Sequence, residues 1–297
     1  MLTRRCVESA LQSSANEVLV SDDASSLELE TLLADLSGDE RLRLFTQEKN
    51  LGLWENHLFL LQQSRSEWIK FIQTDDYLAH GALEEMLKYT DPNVSLIVAL
   101  PSYHHLGTDD ILIPGQFASQ MGVRRFPSDT YLRRLCIRGN EPGRPSYCLY
   151  RKDSLDLNPA AWRSDMSSDL VQNVISASRG VTVLLPTGLV FCGVHEQQDI
   201  RTQSFELIVK RLINSLTYLR ESEYHPGILR FISLYGSVEA LGLFFIACKR
   251  LLGKTDILPF FYFLQLLQQV QLLTILRHFS TTRDFILFKY FGSKGSS

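Results

Sequence analysis

From Glu17 to about Leu100 the chain alternates short apolar runs with segments of helical periodicity, and no other feature constrains the fold as much. The runs read EVLVS, RLRLFTQ, WIKFIQ and VSLIVAL; between them lie SSLELETLLADL, LWENHLFLLQQS and GALEEMLKYT. Short apolar runs bounded by polar turns are strands, and a 3.6-residue apolar period between them is helical. Strand, helix, strand in that order is the grammar of a parallel sheet covered by helices. The expectation is an α/β chain with a mostly parallel sheet.

Ligands of such sheets sit beyond the carboxyl ends of the strands. Two acidic pairs fall there: Asp22 and Asp23 after EVLVS, and Asp75 and Asp76 after WIKFIQT. Adjacent carboxylates repel and raise each other's pKa unless a cation or a proton sits between them, so the pairs need partners. Read without chemistry, the pairs are helix-capping loop residues, and for SDDASS, with Ser25 and Ser26 following, that reading is as good as a functional one. It is weaker for QTDD, where the acids interrupt WIKFI abruptly. A phosphoacceptor receiver pocket also pairs acids after a strand, but RLRLFTQEKN lacks the Asp that such a pocket phosphorylates.

At 297 residues and 45% hydrophobic, the chain is long enough for one large or two modest domains. A formal net charge of -3 gives no electrostatic reason to expect nucleic acid as a partner. Five scattered cysteines without CxxC spacing suit buried thiols in a reducing compartment. MLTRRCVESALQSS has no apolar core of a secretory signal, so a cytoplasmic location is expected.

EVLVSDDASS, followed by NLGLWENHLFLLQQSRSEWIKFIQTDDYLAHGALEEML, resembles the nucleotide-sugar-binding half of the family 2 glycosyltransferases, inverting enzymes with the GT-A fold. The resemblance continues more weakly through RPSYCLYRKDSL, SSDLVQNVISASRG and VTVLLPTGLVFCGVHEQQDIRTQS to about Ser204. It implies a GT-A catalytic domain over residues 1–204 and transfer of a sugar from a nucleotide-diphospho-sugar to a hydroxyl of a glycan or lipid-linked acceptor. Cell-envelope polysaccharide assembly is the usual setting of such enzymes. Departure of a diphosphate calls for a Lewis acid, and magnesium or manganese (Mg2+ or Mn2+) takes carboxylate and phosphate oxygens.

By the same resemblance Asp76 would bind the metal, and Asp75 would share it or face the ribose. Asp23, paired with Asp22, would accept a hydrogen bond from the nucleotide base, and Asn50, Gly52 and Asn56 would order the loop beside it. Asp169, at the head of a helix, would be the general base, with Asp165 as runner-up; an N-terminal carboxylate stabilised by the helix dipole is the equal alternative. His195 would approach the metal or diphosphate, or else be a satisfied structural histidine. The departures from the family pattern are Gln73 where many relatives have Asp, Cys192 or Gly193 where an Arg is expected, and Ser168 before Asp169.

The family's opening strand, of the type SVIIPTYN, has no counterpart, because the chain begins in the following helix at RRCVESALQSS. An inner strand missing from a sheet exposes backbone donors and acceptors. The expectation is a start assigned too late or a non-catalytic homologue that binds nucleotide weakly or scaffolds partners. From Phe205 to residue 297 the pattern becomes helical and apolar, and residues 245–297 hold seven Lys/Arg against two acids, a balance of +5. Pro259 and four glutamines, Gln265, Gln268, Gln269 and Gln271, argue against a span in Ile257 to Leu276. Peripheral contact with the inner face of the plasma membrane and plain packing, on the catalytic domain or in a homodimer, stand open as alternatives.

Overall fold

The computed structural model describes residues 2–26, 28–100, 102–106, 110–112, 122–138, 140, 143–185, 188–194, 205–222, 227–229, 231–232 and 235. The chain opens with α1 (Leu2–Leu11), β1 (Val18–Asp22), a single turn α2 (Leu29–Leu32), β2 (Leu42–Thr46) and α3 (Leu53–Gln63). There follow β3 (Trp68–Ile69), β4 (Tyr77–Leu78), α4 (Ala82–Leu87), β5 (Val94–Ala99), β6 (Ser102–His105), β7 (Asp110–Leu112) and β8 (Arg124–Phe126). The remainder comprises α5 (Ser128–Arg138), β9 (Cys148–Arg151), α6 (Ser168–Arg179), β10 (Val181–Leu185), β11 (Val190–Val194) and α7 (Phe205–Glu221).

The α/β class stands as expected, with helices flanking the sheets. The parallel share is smaller than the pattern implied. Parallel pairing joins β1 to β2, β10 to β5 and β11 to β6. Antiparallel pairing adds β8, β9, β3, β4 and β7. These added strands are two to four residues long. Segments so short carry little periodicity, which is why the alternation hid them.

The centre is β5, all six of whose residues are buried. A strand covered on both faces needs no polar alternation, and VSLIVA has almost none. It lies between β10 and β9 in the order β3-β9-β5-β10-β8. α6 packs against it and is buried along most of its length, polar residues included. Those polar groups have assigned partners: the Ser95 hydroxyl donates to the Ser176 carbonyl at 2.6 Å, and Gln172 Oε1 accepts the Asp156 N–H at 2.9 Å. Satisfied in this way, they do not destabilise the core.

The sheet is not continuous. β1 and β2 form a separate two-stranded sheet with its own small core of Val7, Leu29 and Leu33. An open cleft of about 1540 Å3 is lined by Val18–Ser21 from one sheet and Trp68–Ile72 from the other, with Cys6 and Val7 of α1 and Leu60 and Leu61 of α3. The gap also explains why β3 is shorter than the run WIKFIQ. Its ladder is made to β9 alone, through Trp68 and Ile69, and the chain beyond has no second strand to hold it extended.

Candidate active site

Beyond β3 the chain leaves the sheet and turns, the Asp76 N–H donating to the Gln73 carbonyl at 2.9 Å. The turn turns Asp76 inward, where it is fully buried; the sequence placed it at an accessible strand end. Its Oδ1 accepts the backbone N–H of Gly193 at 3.2 Å, while its Oδ2 is buried without a hydrogen-bond partner. Burial, and then the neighbouring Asp75 charge, raise the Asp76 carboxyl above its ordinary value; the Ser146 hydroxyl, Arg144 and the Cys192 thiol oppose them. Asp75 is partly exposed and lines the cleft.

Among the described residues, the cation that reaches both carboxylates of the pair is Arg144, which opens the stretch RPSYCLYRKDSL and has no role assigned to it by the family resemblance. Its Nη1 stands 3.8 Å from Asp75 Oδ2 and 3.7 Å from Asp76 Oδ1. Those distances exceed a hydrogen bond, so Arg144 attracts both carboxylates without satisfying either. A second cation, Lys70, lies behind them, its ammonium donating to the Ser146 and Phe71 carbonyls. Burial lowers Lys70 to about 8, against the pull of Cys148 and Asp76. A basic residue wedged between Gly143 and Pro145 just ahead of a strand was the available signal for Arg144.

The donor set fits a divalent cation. Asp76 Oδ2 is an orphaned buried oxygen, and Asp75 is among the residues that line the cleft. Among the described residues no group of three or more His, Cys, Asp or Glu is placed to hold a metal. Two carboxylates suffice for magnesium or manganese when diphosphate oxygens and water complete the shell.

Asp169 stands at the second residue of α6, behind Ser168, and lines the same cleft as Asp75 and Arg144. Close packing raises its carboxyl to about 6, against donation from the backbone N–H of Leu170 and the side chain of Asn140. The amide of Asn140 donates to Asp169 Oδ2 at 2.9 Å. Asp165 is turned away, paired with Arg163 at 2.5 Å.

The first acidic pair is occupied locally. Asp23 accepts the Leu51 N–H at 2.6 Å and the Gly52 N–H at 2.9 Å, one on each carboxylate oxygen, and so ties the end of β1 to the start of α3. Asp22 accepts the hydroxyl and N–H of Ser25 at 2.5 and 3.0 Å. The Asn50 amide donates to the Asp23 carbonyl at 3.3 Å, and Asn56 accepts the Ser21 hydroxyl at 2.7 Å. Gly52, with φ of 93°, makes the turn that only a residue without Cβ adopts easily. Carboxylate oxygens accept more than one hydrogen bond, so these contacts leave Asp23 able to receive a base N–H. His195 lies outside the described residues.

A family model described as Glycosyl transferase family 2 matches residues 2–157, just over half of the 297-residue chain. The uncharacterized protein MT1568 of Mycobacterium tuberculosis is 35% identical over 100 residues; the alignment covers 32% of this chain and spans only 30% of that protein's length. The fold is similar to that of S. aureus TarS 1–349, with a TM-score of 0.66 at 12% identity over 96% of this chain and 85% of the other. The same protein in complex with UDP-GlcNAc matches with a TM-score of 0.60 at 12% identity, over 78% of this chain and 67% of the other. The family match covers α1 through β9 and includes both acidic pairs, and with it the chain belongs to glycosyl transferase family 2.

Proposed function

We propose that the chain transfers a sugar, with inversion, from a nucleoside-diphospho-sugar to a hydroxyl of a glycan or lipid-linked acceptor, in the building of cell-envelope polysaccharide. The observation that carries this reading is that Asp75, Arg144 and Asp169 line one cleft. The UDP-GlcNAc and UDP complexes of TarS support a uridine diphosphate donor. Asp75 and Asp76 would hold magnesium or manganese, which would supply Lewis-acid stabilisation of the departing diphosphate. Arg144 adds fixed positive charge beside the same phosphates. Asp169 takes the proton of the acceptor hydroxyl as its oxygen bonds to the anomeric carbon and the bond from that carbon to the diphosphate breaks.

Residues 1–204 form the catalytic unit in this reading, and 205–297 a helical region that brings it to a lipid surface or to a second copy. Among the described residues no helix is long and apolar enough to cross a membrane, and the basic tail lies outside them. A second reading is a non-catalytic homologue that binds nucleotide or scaffolds partners. Transfer and hydrolysis of candidate nucleotide sugars, with and without manganese, decide between the two. Asp169→Asn is expected to keep donor binding and lose ~10²–10⁴-fold in transfer, and Asp75→Asn to weaken both. Donor binding by the parent with no turnover at any metal concentration establishes the non-catalytic reading.

A further inference from the structure

The Asp169 carboxylate is the end of a directional hydrogen-bond chain. Asn173, one turn further along α6 and fully buried, donates through Nδ2 to the Gly143 carbonyl at 3.2 Å and to Asn140 Oδ1 at 3.0 Å. A carbonyl only accepts, so the Gly143 contact fixes which way the Asn173 amide faces. Asn173 Oδ1 then receives the Tyr150 hydroxyl of β9 at 2.7 Å. With its own oxygen held by Asn173, Asn140 has only its NH2 left to turn toward Asp169, which it meets at 2.9 Å. Each donor in the series, from Tyr150 to Asn140, is aimed toward the carboxylate.

The turn that carries Asn140 is closed by the Gly143 N–H donating to the Asn140 carbonyl at 2.8 Å, with Gly143 at φ 55°. Its far end is Arg144, beside Asp75 and Asp76. One turn therefore touches both acidic centres of the cleft.

We propose that Asn140 is a positioning residue for the transfer reaction, aiming the Asp169 carboxylate at the acceptor hydroxyl and holding it in its ionised form, with Asn173 and Tyr150 as its supports. The inference rests on Asp169 as the general base. A donor hydrogen bond to a carboxylate favours its charged form, and loss of that bond moves the carboxyl upward. The other groups whose charge bears on Asp169 are Arg211 of α7, which also favours ionisation, and Cys148 and Tyr150 of β9. Burial pushes Cys148 up to about 12 and Tyr150 well above its ordinary value, so both stay neutral where Asp169 titrates.

The test is the carboxyl titration of Asp169 in the full chain, followed by carbon NMR of aspartate-labelled protein and assigned by its loss in Asp169→Asn. Asn140→Ala is expected to raise the Asp169 midpoint by about one pH unit. Tyr150→Phe, which keeps the ring and frees Asn173, should raise it by a smaller amount. Where transfer is measured, kcat falls and the donor KM holds. An unmoved midpoint in both folded variants overturns the positioning role even if Asp169→Asn is inactive. An Asp169→Asn that still transfers at the parent rate overturns the base assignment instead, whatever the titration shows.

Discussion

Gly193 donates its backbone N–H to Oδ1 of Asp76, and no side chain fits where it does so: a Cβ there would lie 2.4 Å from the Asp75 carbonyl oxygen. β11 thus presses its bare backbone against the acidic turn. The family pattern puts an arginine at Cys192 or Gly193, and at 193 the space for any side chain is taken by the turn itself. Gly193→Ala is expected to cost on the order of 1–3 kcal/mol, since the obstacle is backbone and cannot rotate away. A thermal melt reads the loss, and donor binding should weaken with it. A variant that melts and binds like the parent would show that β11 yields without moving the turn.

Asp76 predicts a gain in stability from a change that is expected to remove the proposed metal-dependent function. Its carboxyl is raised in the folded chain, so the native state holds a proton more tightly than the unfolded state does. Stability from this group is therefore lost as pH rises from the ordinary carboxylate value through the raised one, and stays lost above it. Asp76→Asn has no such proton to lose. Its melting temperature relative to the parent should climb as pH rises above the ordinary carboxylate value of about 4, while metal-dependent donor turnover is expected to disappear. A difference in melting temperature that does not vary with pH would mean that Asp76 is not strained by its own charge.

Asp169 sets the expected pH dependence of transfer. A general base works only when deprotonated, and its carboxyl is raised to about 6. At saturating donor and metal the rate should rise with pH through about 6 and level off above it. Asp169→Asn should lose this limb along with the rate. A limb retained in that variant would assign the titration to another group.

How far the sequence was readable depends on how local each feature is. The end of β1 at Asp22 and the start of α6 at Ser168, with Asp169 one residue in, follow from the apolar period and the polar residues that bound it. The depth of Asp76 does not. WIKFIQTDD reads as a strand delivering two acids to solvent, but the strand is cut at Ile69, and the turn buries the second acid under Gly193 of β11. Arg144 escaped for a related reason: it meets Asp75 and Asp76 across nearly seventy positions of chain. For Asp23, capping was one of two equal readings, and capping of the turn into α3 is what its two oxygens are seen to do.

The tail yields a prediction on charge alone. Residues from about Val238 onward combine leucine-rich and aromatic stretches with the +5 balance of residues 245–297. Each Lys or Arg near an anionic surface contributes about 1 kcal/mol, so partial engagement of Lys249, Arg250 and Lys254 with the later basic residues would hold the chain beside a lipid-linked acceptor. The attraction is screened over a Debye length of roughly 8 Å at physiological ionic strength. Recovery with vesicles containing phosphatidylserine should therefore fall as salt rises, and neutral vesicles should recover little. Replacing Lys249, Arg250 and Lys254 together by Gln should weaken the anionic recovery without lowering the melting temperature. Equal recovery on neutral and anionic vesicles, or none on either, would instead assign the tail to packing within the chain or between two copies.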